Sequence, residues 1–172
     1  MHVLVTYATQ LGSTRGIAER IADTLVQEGV DVELRSVEEL TSPVTSFDGY
    51  VIGSAIHAGH WLKPAKEFVE LHAAVLAQRP VWLFSSGPIG EKAVSQPQPD
   101  PKEIENFRHL FEPRDHVVFG GAFDRETADA KGGLFGRAFN RFIPEGDFRD
   151  WPAIENWARE IATELKGALV GV

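Results

Sequence analysis

The chain contains no cysteine, and that one absence excludes disulfides, iron–sulfur clusters, thiolate zinc sites and a thiol nucleophile together. Any redox chemistry would need a borrowed cofactor. Basic residues are also scarce. Seventeen Lys+Arg against twenty-five Asp+Glu leave a formal charge of -8 and a pI near 5.2, the wrong sign for a nucleic-acid footprint. The same charge repels anionic lipids unless a local basic patch makes a peripheral contact. A phosphate-bearing ligand would have to be held by local geometry. No stretch approaches the roughly 18 consecutive apolar residues of a membrane span. Met1–Val5 run straight into an apolar strand without a basic leader, so cytoplasmic is the expected location.

Several motifs are missing as well. There is no G-x-x-x-x-G-K-[ST] and no G-x-G-x-x-G, which removes the usual cradles of nucleoside triphosphates and Rossmann dinucleotides. A monophosphate fits better. Neither Ser85 nor Ser86 sits in G-x-S-x-G, and the neighbouring sequence suggests no Asp or His partner for a hydrolase. His57 and His60 lack a third ligand nearby, so no metal is expected.

What is present reads as one domain over residues 1–172, since a 19.0 kDa chain can bury roughly 70% of its unfolded surface. Apolar runs at His2–Tyr7, Gly49–Gly53, Pro80–Phe84 and His116–Gly120 predict buried parallel strands. The alternating Val30–Leu34 predicts an edge strand. Between them, Thr14–Glu28, Pro64–Gln78 and Pro101–Phe111 carry helical periodicity. The second buries Ala65, Phe68, Leu71, His72 and Val75, and the third places Ile104, Phe107, Leu110 and Phe111 on one side. A last helix follows Asp150-Trp151-Pro152, with Ile154, Trp157, Ala158, Ile161, Ala162 and Leu165 on one face. Strands alternating with helices imply an α/β doubly wound sheet with helices on both faces. Phe123–Arg149, with Gly132-Gly133 and the apolar piece Leu134–Ile143, shows no obvious strand and reads as an excursion before the last helix.

In such sheets ligands settle beyond the carboxyl ends of the strands, so the loops there carry the candidate site. After the first strand, Thr9, Gln10, Leu11, Gly12, Ser13 and Thr14 combine hydroxyls, one glycine and a helix start, a site for a phosphate dianion without lysine. The alternative is that Ser13 or Thr14 merely caps the helix. After the third strand, Ser54, Ala55, Ile56, His57, Gly59 and Trp61 offer small residues and flat rings for a planar ligand. Trp61 packing on the following helix is the competing reading. After the fourth, Ser86, Gly87, Pro88 and Gly90 form a backbone-rich turn suited to a heterocycle edge.

The stretch Thr6–Thr14 resembles the phosphate loop of flavodoxin-like proteins, with Thr9, Gly12 and Thr14 on its diagnostic positions and Gln10 and Leu11 where threonine is common. That resemblance implies a flavodoxin-like doubly wound five-stranded parallel sheet, order 2-1-3-4-5, and FMN as cofactor. Its phosphate would lie on Thr9–Thr14 and its ring between Ser54–Trp61 and Ser86–Gly90. Val51–His60, Val118–Ala122 and Asp150-Trp151 before Trp157–Ala162 are similar to the menaquinone-dependent protoporphyrinogen dehydrogenase group. The excursion departs from that group, with Pro144-Glu145-Gly146-Asp147 replacing its Gly-Gly and Thr-Asp-Thr tract. The resemblance implies an FMN-dependent oxidoreductase, with a quinone or a redox protein as partner and no catalytic side chain required. The alternatives are an electron-transfer carrier without its own substrate, a flavin-free interaction domain, and a deazaflavin in place of FMN.

Overall fold

Alternate residues of each central strand are apolar on both faces, and the chain covers both. In the computed structural model, which describes residues 1–40, 44–91 and 95–170 (side chains of 132–136, 139 and 168–170 excepted), five parallel strands form the core. They are β1 (His2–Ala8), β2 (Asp31–Ser36), β3 (Gly49–His57), β5 (Val81–Ser86) and β6 (Asp115–Phe119). The spatial order is β2-β1-β3-β5-β6, and β4 (His60–Trp61) turns back antiparallel against the end of β3. Counting only parallel strands, this is the expected 2-1-3-4-5. The strand predicted at Val30–Leu34 does lie at an edge, paired only with β1.

Val3, Val5, Val51, Trp82 and Phe84 point to one face, where α1 (Ser13–Gln27) and α5 (Trp151–Val170) pack through Ile17, Ile21, Leu25, Ile154, Trp157 and Ile161. Leu4, Tyr50, Ile52, Val81 and Leu83 point to the other, against α2 (Lys63–Leu76) and α3 (Lys102–Phe111). This two-sided burial is why β1, β3 and β5 read as unbroken apolar runs. The α2 stripe runs Ala65, Phe68, Val69, Leu76, which leaves Leu71 78% exposed rather than buried. Leu110 is likewise exposed at the rim of α3. Asp150 caps α5 as its sequence implies, accepting the Ala153 N–H at 3.0 Å.

The excursion differs most from expectation. It contains helix α4 (Arg125–Asn140), flanked by two short strands, β7 (Ala122–Phe123) and β8 (Gly146–Asp147), which pair antiparallel. Two-residue strands are too short to show alternation, and the Gly132-Gly133 pair masks a helix because glycine lowers helix propensity by about 1 kcal/mol per residue. The carboxylate of Asp124 starts this helix by accepting the Thr127 N–H at 2.9 Å. The side chains of 134–136 and 139 in the apolar piece at 134–143 lie outside the described residues. Residues 92–94 of the polar loop before Pro101 also lie outside them.

Candidate functional site

The order of the sheet reverses at β1 and β3, because the chain leaves β1 in one direction to form β2 and returns on the other side to form β3. A cavity of about 340 Å³ opens there, beyond the carboxyl ends of β1, β3 and β5. Its size lies within the roughly 300–1,000 Å³ typical of small-molecule sites.

The β1–α1 loop forms one wall through Thr9, Gln10, Leu11, Ser13 and Thr14. Gly12 occupies the N-cap position of α1 with φ 94°, and no side chain caps the helix. A Cβ at Gly12 would touch nothing within 4 Å, so the demand for glycine is conformational rather than steric. The Gly12 N–H donates to Thr9 Oγ1 at 3.0 Å, which folds the loop on itself. The capping alternative for Ser13 and Thr14 is therefore overturned. Ser13 Oγ instead accepts the Ala122 N–H at 2.8 Å and lies 3.3 Å from Ser86 Oγ, joining the loops after β1, β5 and β6. Thr14 Oγ1 is closed to solvent and has no hydrogen-bond partner. A buried hydroxyl without a partner costs about 1–3 kcal/mol, so the first turn of α1 holds an unmet hydrogen-bonding capacity at the cavity wall.

Ala55, Ile56 and His57 form the β3 side of the cavity, and Ser86, Gly87 and Ile89 the β5 side. The segment after β6 and the excursion close it through Gly121, Ala122, Phe123, Ala128, Lys131, Asn140 and Ile143. Arg149 fixes the return of the excursion onto α1. Its guanidinium pairs with Asp147 at 2.8 and 2.6 Å, lies 4.4 Å from the centroid of the Trp151 ring, and donates to the Ser13 carbonyl at 3.4 Å. The bond to Arg149 holds the Asp147 carboxyl below its ordinary pKa, outweighing the effect of burial.

Other predicted site residues lie elsewhere, for a reason visible in β3. The strand runs four residues past Gly53 and folds back through Ala58 and Gly59, whose φ angles of 51° and 81° make a two-residue hairpin turn. Gly59 therefore sits at a turn apex rather than on the cavity. Trp61 is carried back into the core, edge-on to Phe107 at 5.3 Å, with Nε1 donating to Ser85 Oγ at 2.7 Å. Trp61 is thus a core residue, as in the packing reading, but its ring meets α3 at Phe107 rather than the following helix alone, and it is not among the described residues lining the cavity. Ser54 is fully buried, donating to the Ala55 carbonyl and accepting the Leu62 N–H, each at 2.9 Å. The Pro88 carbonyl accepts the Gly121 N–H at 2.8 Å, and Gly90, at φ 98°, packs near Pro144.

Ser85, unlike the expectation from sequence, does have His and Asp partners. Its Oγ lies 2.8 Å from His116 Nε2, and His116 Nδ1 lies 3.0 Å from Asp100 Oδ1. The Trp61 indole N–H can only donate, so the Ser85 proton turns to Nε2 and the His116 proton sits on Nδ1 facing Asp100. The chain is thus satisfied with His116 neutral. Burial pushes the His116 pKa down, and the charge of Asp100 only partly opposes it. With Ser85 fully buried and its hydroxyl engaged on both sides, this is a structural relay rather than a nucleophile. His60 behaves similarly. It bonds Glu103 at 2.8 Å, and Glu103 also accepts the Trp61 N–H at 3.0 Å. Burial raises the Glu103 pKa, but these bonds bring it below the ordinary value. Among the described residues no cluster of three or more His, Cys, Asp or Glu could hold a metal.

The chain matches the flavodoxin domain family (Flavodoxin_5) over residues 4–130. It belongs to that family. A solved flavodoxin from the domain Archaea superposes with a TM-score of 0.65 at 16% identity, covering 96% of this chain and 99% of that one. A flavodoxin from Pseudomonas aeruginosa gives 0.60 at 12%, covering 96% and 99%. These likenesses establish the flavodoxin fold. Protoporphyrinogen IX dehydrogenase [quinone] of Escherichia coli (strain K12) is 27% identical over 184 residues, spanning 94% of this chain and 95% of that protein. Family and fold together imply a flavin as the cofactor class. No helix among the described residues is long and apolar enough to cross a membrane.

For a flavodoxin-family chain, the part of this cavity that the loop motifs do not reveal comes from Ile89, Gly121 and the excursion. Lys131, Asn140 and Ile143 follow residues with no distinguishing motif, and the β7–β8 pairing together with the Ala122, Lys131 and Arg149 bonds to the β1–α1 loop brings them over it. Ser13 gave no hint of its bond to Ala122, 109 residues away.

Proposed function

We propose that the protein is an FMN-dependent, flavodoxin-like oxidoreductase whose electron acceptor is a quinone. The observation that carries the flavin reading is the unpaired Thr14 hydroxyl in the first turn of α1, at the wall of a cavity that no carboxylate lines among the described residues. Unmatched N–H groups at a helix start, the positive end of its dipole and nearby hydroxyls suit a phosphate monoester. Thr9, Gln10, Gly12, Ser13 and Thr14 hold the phosphate in this reading, with Leu11 closing the wall. Ala55, Ile56 and His57 border the ring on one side and Ser86 and Gly87 on the other. Ser54, Gly59, Trp61, Pro88 and Gly90 hold these walls from behind. When bound, FMN supplies the electron transfer itself. The residues of the chain bind, orient and shield it.

The quinone reading is supported by the quinone-linked dehydrogenase that the Escherichia coli relative is and by the apolar edge that Phe123, Ala128 and Ile143 give the cavity. A carrier passing electrons to a basic redox protein is the second reading, favoured by the charge of -8. Purified protein should show flavin absorption bands, and apoprotein should quench FMN fluorescence stoichiometrically. Absence of both would end the flavin reading. Rapid reoxidation of the reduced protein by a menaquinone analogue supports the enzyme. Slow reoxidation by it, with fast salt-sensitive exchange with a basic redox protein, supports the carrier.

A further inference from the structure

Among the described side chains that line the cavity Lys131 alone carries a full positive charge, and none is a carboxylate. Its Nζ donates at 2.9 Å to the carbonyl of Gln10, on the β1–α1 loop, although the two residues are 121 positions apart. An ammonium has three N–H donors, and Gln10 takes one. Of the other cations around this end of the sheet, Arg15, Arg20, Arg125 and Arg149 pair with Glu19, Glu155, Glu145 and Asp147, while Arg137 and Arg141 donate to the backbone carbonyls of Asp129 and Ala138 and are not among the described residues lining the cavity. No carboxylate pairs with Lys131 among the described residues. In a chain of net charge -8, a lysine without a counterion at the rim of an acid-free cavity is the charge an entering anion would meet.

We propose that Lys131 is the counterion and clasp of the phosphate end of the cavity, selecting a phosphate monoester dianion. The proposal rests on the flavin reading for the identity of that phosphate. Lys131 bridges helix α4 and the β1–α1 loop through Gln10, so the excursion acts on cofactor retention as well as on the cavity mouth. A compact ammonium on a flexible stem can hold the Gln10 carbonyl and still turn its remaining donors to a phosphate oxygen. The neutral groups of the loop supply orientation. Lys131 supplies discrimination by charge.

The test compares wild type, K131M and K131R apoprotein, titrated with FMN, riboflavin and inorganic phosphate at several salt concentrations. Lys131 is exposed, so the fold should survive both substitutions, which thermal melts of the apoproteins check directly. K131M should weaken FMN about ten-fold, a loss of about 1.4 kcal/mol, while riboflavin, which lacks the phosphate, changes by less than about two-fold. K131R should recover most of the FMN affinity, and the salt dependence of FMN binding should be shallower in K131M. Equal weakening of FMN and riboflavin, or no change in either, would overturn the proposal. If wild type takes no flavin yet binds inorganic phosphate in a Lys131-dependent manner, the flavin reading falls and the counterion stands. If it binds neither, both fall.

Discussion

Replacing Thr14 by valine should stabilise the apoprotein and weaken the flavin complex, two effects of opposite sign from one hydroxyl. Thr14 is fully buried on α1, and its Oγ1 finds neither solvent nor a protein partner. Valine puts a methyl where the hydroxyl stood, and the two residues have nearly equal helix propensity. Removing an unsatisfied buried hydroxyl should therefore return part of its roughly 1–3 kcal/mol penalty. With about 1 kcal/mol recovered, the apoprotein Tm should rise about 2–4 °C for a chain of this size. On the flavin side the same substitution deletes a hydrogen bond to a charged phosphate, worth about 1.5–3 kcal/mol, or about 10- to 150-fold in Kd. Thermal melts of apoprotein and fluorescence titration with FMN read the two arms separately. T14S, which keeps the hydroxyl, is the control and should bind FMN nearly as wild type does. A T14V apoprotein that melts lower than wild type, or one that binds FMN within two-fold of it, refutes the reasoning.

Three further outcomes follow from the packing around the site. A Cβ at Gly53 would lie 2.0 Å from Cζ of the fully buried Phe84 ring, whose neighbours Phe119 and Trp157 leave it little room to retreat. G53A should lose about 3 kcal/mol, or about 6–12 °C in Tm. Adding F84L should restore part of that loss, and an additive double mutant would show that the ring is not the cause. Burial lowers the His116 pKa below 6.5, with Asp100, Asp115 and Arg108 as its charged surroundings. A histidine kept neutral in the fold stabilises fully above the unfolded value of about 6.5, and that contribution is lost as pH falls through the lower folded value. Melts of wild type between pH 7.5 and 5 should therefore fall more steeply than those of H116Q, although His72, also lowered by burial, leaves a residual slope in both. R149M removes the Asp147 pair, the Trp151 face contact and the bond to Ser13, so Tm should drop by about 2–6 °C. Unchanged melting would mean that the β7–β8 ribbon alone anchors the excursion.

Periodicity and punctuation in the sequence were sufficient for the sheet. The run at Pro80–Phe84 is apolar at every position, and that at His2–Tyr7 nearly so, because both faces are covered, and the Asp150 cap marks α5 by local hydrogen bonding alone. The glycine at position 12 likewise reports a left-handed backbone that a single residue type favours. These are short-range effects, and a linear string of residues contains them. Where β3 stops, however, depends on the Ala58-Gly59 turn and on Trp61 finding Ser85 and Phe107, partners 24 and 46 positions ahead. Contacts of that separation leave no periodic trace. The same holds for Ser13 meeting Ala122, for His116 meeting Ser85 and Asp100, and for Lys131 reaching Gln10 from the excursion. Local propensity determined which segments became strands and helices, whereas the positions of the charge, the donor groups and the walls of the cavity were decided only when distant loops came together at the end of the sheet.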